Sequence, residues 1–233
     1  MLRLLPLLLA LAFVQPSLSG EEVLYSLDFS KEPAGEAIPW LKQHGFEMKL
    51  SCKALHPCFE QGALRLSTTK PEAGLFSHEF AKGQEVPAAK RLRLTWGVTE
   101  FPTGADWEHG VNRLALAVMV SFGHEKLPSG LPFGVFAEPR FICTFMGGCE
   151  PPGKIYTGSL WKAGGRYLCV KPAQPADAIT EVDLDRLYKS LFHQSETPPV
   201  SAIGFQMNTK DTCGCASAWL KRIELLGDGA GRR

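Results

Sequence analysis

The sequence predicts a mainly β protein, an antiparallel β-sandwich with one or two short helices. Short segments of alternating or continuous apolar character recur along the chain, and glycine and proline residues separate them. Patterns typical of amphipathic helices are rare. Many short strands joined by turns are characteristic of sandwiches and barrels.

Ten segments are predicted as strands. In chain order they are residues 23–29, 63–67, 75–80, 91–98, 114–122, 133–137, 140–145, 166–171, 202–207 and 218–225. Residues 63–67 and 91–98 alternate cleanly between apolar and polar side chains, as half-buried strands do. Residues 114–122 are almost wholly apolar, which predicts a central strand buried on both faces. In the last segment the alternation fails at Lys221, so a β-bulge is predicted there.

Helical periodicity is clear only in residues 183–192. Leu184, Leu187, Tyr188 and Leu191 recur at intervals of three and four, which places them on one helix face. Asp183 precedes them and can accept a hydrogen bond from the first turn as an N-cap. A second short helix is predicted over residues 38–44.

The first 19 residues predict a secretory signal peptide. Arg3 precedes an apolar run, Pro16 ends it, and Ser17 and Ser19 stand at the positions a signal peptidase requires. The run is too short to span a bilayer. We therefore expect a soluble periplasmic or secreted protein without a membrane span after cleavage. Residues 20–226 are predicted to form a single domain and residues 227–233 a disordered tail.

The formal net charge is +1 at pH 7. Proteins that bind phosphate backbones need a basic excess, so this balance argues against nucleic acid as a partner.

Seven cysteines follow the signal segment, namely Cys52, Cys58, Cys143, Cys149, Cys169, Cys213 and Cys215. In an oxidising compartment they are expected to form disulfides. The spacing suggests the short-range pairs Cys52–Cys58, Cys143–Cys149 and Cys213–Cys215. Cys169 can instead pair with Cys213 or Cys215, so the connectivity stays open, and the odd number leaves one thiol over.

The sequence offers two candidate metal sites, and each of them also has a simpler interpretation. The thiols of Cys213 and Cys215 could bind copper or zinc, although disulfides explain them more simply. Asn208 and Asp211 offer oxygen ligands for calcium after a predicted strand, but they lack the several carboxylates of tight calcium sites. A polar turn is the preferred interpretation there, and no cofactor is expected.

One loop combines the residue types of acid–base catalysis. Glu100, Asp106 and Glu108 lie near His109, and paired carboxylates can cleave a glycan when a cleft holds them at a suitable separation. The simpler interpretation is a solvated loop. Neither a nucleophile elbow nor a glycine-rich phosphate loop occurs in the sequence.

Several aromatic residues lie in or beside predicted loops. Trp107, Tyr156 and Trp161 are candidates for stacking on sugar rings, because non-catalytic sandwich modules hold carbohydrate on aromatic faces.

Three segments resemble an uncharacterised family of exported bacterial β-sandwich proteins. They are residues 92–122 (with TW, FPTGADW and RLALAVMVSF), residues 152–156 (PGKIY) and residues 198–225. The resemblance implies a jelly roll of the galactose-binding type and an exported protein, without an activity. The chain departs from the family pattern at residues 110–112 and 208–212, where acidic residues are sparse.

These observations favour an exported, non-catalytic module that binds glycan or another component of the cell envelope. The first alternative is a cell-envelope glycan hydrolase or lyase that uses the loop from Glu100 to His109. A further alternative is a thiolate metal-binding or redox protein that uses Cys213 and Cys215.

Overall fold

The computed structural model describes residues 21–130 and 137–228. It confirms the predicted fold class, because these described residues form two seven-stranded sheets and two short α-helices. The predicted signal peptide (residues 1–19) and most of the predicted tail lie outside the described residues. Gly227, where the tail was predicted to begin, instead ends the last strand and pairs with Glu22.

The first sheet is antiparallel throughout. Its spatial order is β12 (Ala178–Asp183), β7 (Arg91–Glu100), β14 (Cys215–Gly227), β5 (Ala63–Thr69), β4 (Cys58–Glu60) and β2 (Gly35–Glu36). The seventh strand, β1 (Glu22–Asp28), pairs with the second half of β14, beyond the end of β5.

The second sheet carries the longest hairpin. Its order is β10 (Ile155–Tyr156), β11 (Gly165–Pro172), β9 (Ala137–Gly147), β8 (Leu114–Pro128), β13 (Val200–Asn208), β6 (Ala73–Glu79) and β3 (Glu47–Leu50). Only β11 and β9 run parallel to each other among its pairs. The apolar segment predicted as a central strand is β8, which lies between β9 and β13.

The main core lies between the two sheets. Leu116, Val118 and Val120 of β8 are fully or almost fully buried, as alternation along a strand requires for one inward face. Trp96 of β7 is also fully buried, and its Nε1–H donates to the Thr180 hydroxyl at 3.0 Å. That bond satisfies a polar group that would be costly to bury alone.

A second apolar cluster covers the opposite face of the second sheet. Phe141, Cys143 and Phe145 of β9 belong to it, whereas Ile142 and Met146 of the same strand face the main core. Loop residues cover these side chains, so β8 and β9 are buried on both faces. This second layer explains why the sequence of β8 is apolar at almost every position.

The helices begin close to where the sequence predicts. Helix α1 spans Ile38–Gln43 and helix α2 spans Leu184–Phe192. Asp183 caps α2 as predicted, since its Oδ1 accepts from the Arg186 N–H at 2.9 Å. Within the described ranges, no helix is long and apolar enough to cross a membrane.

The predicted bulge in the last strand is present. The register of β14 against β7 shifts between Leu220 and Arg222, which leaves Lys221 without a partner on β7. The Lys221 ammonium instead contacts Asp177 at 2.6 Å and lies 5.2 Å from the centre of the Trp219 ring.

Sequence reasoning missed β2, β3, β4, β10 and β12, which are short or rich in polar residues. The segment predicted as a strand at 133–137 lies mostly outside the described residues.

All seven cysteines are free thiols in the structure, so the disulfides predicted from spacing are absent. The fold explains why two of the predicted disulfides, Cys52–Cys58 and Cys143–Cys149, do not form. The Cys52 thiol donates to the carbonyls of Lys49 and Leu75, at 3.1 and 3.3 Å, while Cys58 lies on β4. Cys143 is buried in the second cluster, whereas Cys149 is exposed in the loop after β9.

Candidate functional site

A groove crosses the outer face of the second sheet. Two adjoining cavities, of about 120 and 550 Å³, lie along it. Both are lined by Leu75 of β6 and Gln206 of β13, and Met119 of β8 adds an apolar surface to the smaller one. The larger cavity falls within the size range of small-molecule binding sites.

The hairpin of β8 and β9 bends, which helps to enclose this groove. Phe122 pairs with Arg140 and Leu127 pairs with Glu138, so four residues of β8 stand opposite Pro139 alone. Gly123 begins this bulge with a φ of 63°, a left-handed conformation that favours glycine. Bulges increase the local bend and twist of a hairpin.

The bent hairpin reaches the far edge of the sheet. The Lys49 ammonium of β3 lies 3.8 Å from Glu138 Oε1, and both side chains are more than a third exposed. Lys49 and Glu138 line both cavities, so this ion pair lies where the two cavities meet. It joins opposite sides of the groove.

Two half-buried aromatic residues also line both cavities, namely Trp161 and Tyr167. Trp161 has a φ of 62°, and its carbonyl accepts hydrogen bonds from Gly164 and Gly165 at 3.1 and 2.6 Å. This tight turn fixes the backbone that carries the indole. Tyr167 is supported from beneath by Phe141, with ring centres 5.7 Å apart.

The other two aromatic residues predicted to bind a ligand are buried. Trp107 is 5 % exposed, packs on Phe145 at 4.8 Å between ring centres and donates its indole N–H to the Arg113 carbonyl at 2.9 Å. It contributes to the wall of the larger cavity. Tyr156 is 9 % exposed and lines neither cavity, and its hydroxyl donates to Glu108.

A buried carboxylate holds the loop that carries Trp107. Glu150 is 3 % exposed, and its oxygens accept from the backbone N–H groups of Trp107, Gly148 and Cys149 at 3.0, 2.7 and 3.2 Å. Three donors satisfy a charge that would otherwise be expensive to bury. No periodic signal in the sequence marks this residue, which lies in a loop just before two prolines.

The predicted catalytic carboxylates lie outside the groove. Asp106 accepts from the His109 ring at 2.7 Å, and this hydrogen bond is the main reason that the pKa of Asp106 is lowered. Glu108 is bound by Lys154 and Tyr156, whose hydrogen bonds lower the pKa of Glu108. Glu100 is exposed at the end of β7. None of the three carboxylates lines either cavity.

The predicted calcium ligands make other contacts. Asn208 lines the larger cavity, and its Oδ1 accepts from the Lys210 N–H at 3.2 Å. Asp211 is bound by the Arg113 guanidinium. Asp106, Cys149 and Glu150 each bring one ligand atom within 4.8 Å of the others. Because three N–H groups already bind Glu150, we assign no metal ligand at any of these positions.

Comparisons with known proteins give no family for this chain. No protein-family model matches the sequence, and no curated protein matches it. Among solved structures, a native family 12 xyloglucanase from Bacillus licheniformis aligns at 10 % identity over 89 % of this chain and 99 % of the xyloglucanase, with a TM-score of 0.42.

Two further solved structures are larger proteins. The glycoside hydrolase domain of Endo-D from Streptococcus pneumoniae R6 aligns at 9 % identity and a TM-score of 0.34, over 79 % of this chain. The agarase AgWH50C aligns at 10 % identity and a TM-score of 0.36, over 88 % of this chain. This chain spans 20 % and 24 % of those two chains. Similarity at this level carries no argument about function.

Proposed function

We propose that the protein is an exported, non-catalytic module that binds carbohydrate in the groove on the outer face of its second sheet. The observation that carries the proposal is the pair Trp161 and Tyr167, which are half-buried, adjoin both cavities and are held by the surrounding backbone and ring packing. Rigid aromatic faces bind the apolar faces of sugar rings at little cost in conformational entropy.

The polar residues of the groove suit hydroxyl groups. Ser77, Ser121, Ser201 and Gln206 line the smaller cavity beside its apolar surface. Gln206 carries both a donor and an acceptor, and serine hydroxyls can act as either, so they can match sugar hydroxyls in several orientations.

The charges of the groove favour an uncharged ligand. Two lysines and two glutamates line the smaller cavity, namely Lys49, Lys126, Glu79 and Glu138. Their charges balance, and Lys49 neutralises Glu138 directly at 3.8 Å. A glycan without carboxylate or sulfate groups therefore fits better than an acidic one.

The same ion pair favours binding over cleavage. Glycosidases use two carboxyl groups that flank the scissile bond, one of which must carry a proton or attack the sugar. Of the two glutamates that line this groove, Glu138 is engaged by a lysine and Glu79 is exposed at the end of β6. The carboxylates of the loop from Glu100 to His109 line neither cavity. This arrangement supports a module that binds without cleaving.

The test measures binding of the full chain to a panel of neutral oligosaccharides by titration calorimetry. We expect one class to bind, and we expect Trp161→Ala to lose at least about tenfold in affinity, since a lost stacking contact of about 1.4 kcal/mol has that effect. Ile179→Ala is the matched control, because Ile179 is an exposed apolar residue on the first sheet. Equal losses in both variants, or no binding across the panel, would overturn the proposal.

Analysis of the reaction products distinguishes the binding module from the hydrolase alternative. A binding module leaves the bound oligosaccharide intact on prolonged incubation. Release of new reducing ends by the wild-type chain, abolished by Glu138→Gln, would support the hydrolase instead.

A further inference from the structure

Two buried hydroxyls at the smaller cavity of the groove have no hydrogen-bond partner among the described residues. They belong to Ser77 of β6 and Ser201 of β13, which are 4 % and 5 % exposed, and both serines line this cavity. A buried hydroxyl without a partner costs free energy, and few native structures keep one without a reason. A polar group placed in the cavity would remove that cost.

A β-bulge brings Ser201 to the cavity. The register of β13 against β8 shifts between Val200 and Ala202, so Ser201 has no partner on β8. Bulges re-aim a side chain within a strand. Val200 therefore packs in the main core, whereas Ser201 lines the cavity on the outer face of the sheet. Ser77 lies on the adjacent strand, so the two serines reach the cavity from different strands.

Much of the remaining wall is apolar. The half-buried side chains of Leu75 and Met119 line the smaller cavity, and so do Phe141 and the single methyl group of Ala202. A group that fits this wall needs an apolar end as well as hydrogen-bonding atoms. A hydroxyl group has no apolar end, so it would satisfy a serine and leave the apolar wall uncovered.

The size of the cavity limits what can enter it. Its volume of about 120 Å³ corresponds to about four water molecules at about 30 Å³ each. A whole sugar ring with its hydroxyl groups is larger than this, so only a substituent of the ring fits. An acetamido group matches the size with its nitrogen, carbonyl carbon, oxygen and methyl carbon.

We propose that the groove selects N-acetylated amino sugars, whose acetamido group enters the smaller cavity while the sugar ring stacks on Trp161 or Tyr167. This inference rests on the proposed function, because it names the class of carbohydrate that the same groove binds. Both aromatic residues line this cavity, so a stacked ring lies beside it.

The acetamido group satisfies both serines at once. Its N–H donates to one hydroxyl, and its carbonyl oxygen accepts from the other. These two amide groups point in opposite directions, which suits serines on different strands. Rotation about the Cα–Cβ bond, which has three staggered minima, brings each hydroxyl to the amide. The methyl group then packs on Met119.

The first test compares two trisaccharides of the same linkage by titration calorimetry of the full chain. N-acetylchitotriose carries acetamido groups where cellotriose carries hydroxyl groups, and both are uncharged. We expect N-acetylchitotriose to bind at least about tenfold more tightly, as an amide hydrogen bonded at both ends and a buried methyl group predict.

Serine-to-alanine variants separate ligand contact from folding. Ser77→Ala and Ser201→Ala should each weaken binding of N-acetylchitotriose several-fold and leave binding of cellotriose unchanged. Because neither hydroxyl has a partner in the free protein, urea unfolding should show a stability equal to wild type or higher. Ser67→Ala is the matched control, since Ser67 is exposed on β5 of the first sheet, and it should change neither affinity.

A third variant fills the cavity. Ala202→Val adds two methyl groups to its wall, so it should weaken binding of N-acetylchitotriose more than binding of cellotriose. Equal affinity of wild type for the two trisaccharides, or tighter binding of any neutral sugar without acetamido groups, would refute the acetamido assignment and leave carbohydrate binding in place. Failure of every sugar to bind would refute both. Serine variants that lose stability and weaken both sugars equally would show that the hydroxyls serve the fold.

Discussion

Lys49 and Glu138, 89 positions apart in the sequence, meet across the groove with 3.8 Å between the ammonium nitrogen and the nearer carboxylate oxygen. Lys49 belongs to the edge strand β3, and Glu138 is the second residue of β9 on the bent hairpin. Both side chains are more than a third exposed, so water and salt screen the attraction. The pair closes the groove without being a large source of stability.

Replacing Glu138 by glutamine should therefore act on ligand kinetics more than on folding. We expect Glu138→Gln to change the free energy of unfolding by less than about 1 kcal/mol, as exposed ion pairs do. Stopped-flow binding of a neutral oligosaccharide should show association and dissociation rates that both rise several-fold. Glu125→Gln is the matched control, because Glu125 pairs with Arg140 on the same hairpin and lines neither cavity. Unchanged rates in Glu138→Gln would show that the ion pair does not gate the groove.

Glu150 should matter for stability far more than any exposed glutamate. A glutamine there keeps one acceptor oxygen but turns an NH₂ group toward backbone N–H donors that are already buried. Hydrogen bonds to charged groups contribute about 1.5–3 kcal/mol, so we expect Glu150→Gln to lower the free energy of unfolding by about 2–3 kcal/mol. Urea unfolding measures this, with the exposed Glu47→Gln as the control. A loss below about 0.5 kcal/mol would mean that the carboxylate does not hold the loop.

The way the free energy of unfolding falls at acidic pH should depend on Asp185 in helix α2. Desolvation alone would raise its pKa, but the ammonium groups of Lys189 and Lys90, 2.9 and 3.2 Å from its carboxylate oxygens, outweigh desolvation and lower the pKa to about 2 from 3.8. A group with a lowered folded-state pKa stabilises the protein above its unfolded pKa and loses that contribution as the pH falls through the folded value. The side chain is 21 % exposed, so screening reduces the effect.

We therefore expect Asp185→Asn to cost about 1–2 kcal/mol at pH 7, and this difference from wild type to shrink between about pH 4 and pH 2. Thermal unfolding across that range measures it. Asp177→Asn, whose side chain is 58 % exposed beside Lys221, should show a smaller difference. A cost that is independent of pH would contradict the electrostatic origin.

The elements that sequence reasoning found are those whose signals are local. The apolar run of β8, the Asp183 cap and the bulge at Lys221 each follow from neighbouring residues. The groove has no such signal, because Lys49, Glu138 and Trp161 come together only through strand order and the hairpin bend at Gly123.

For the aromatic and cysteine residues, too, local sequence patterns do not predict which side chains are buried. Trp107 lies in a loop of turn-forming residues, which predicts an exposed side chain. Phe145 and Glu150 instead hold it in the second apolar cluster, which forms a core of its own. The spacing of Cys143 and Cys149 suits a small disulfide loop, but strand β9 places one thiol in that core and the other in solvent. In each case, residues distant in the sequence determine whether the side chain is buried.

The exposed thiol of Cys213 offers an electrostatic test through Glu100. Its negative charge opposes a second negative charge nearby, and it raises the pKa of Cys215 and acts against the lowering of the pKa of Cys213. Glu100→Gln removes that charge, so the thiolate fraction of both cysteines should rise at any pH below their pKa values. The measurement is the rate of iodoacetamide labelling at Cys213 against pH, followed by peptide mass spectrometry. We expect the profile to move to lower pH, and the shift to shrink at high salt because the groups are exposed. Glu196→Gln, which removes an exposed charge elsewhere, should leave the profile in place. If Glu100→Gln moved the profile to higher pH, Glu100 would be assisting the thiolate as a proton acceptor, and its assignment as an opposing charge would be wrong.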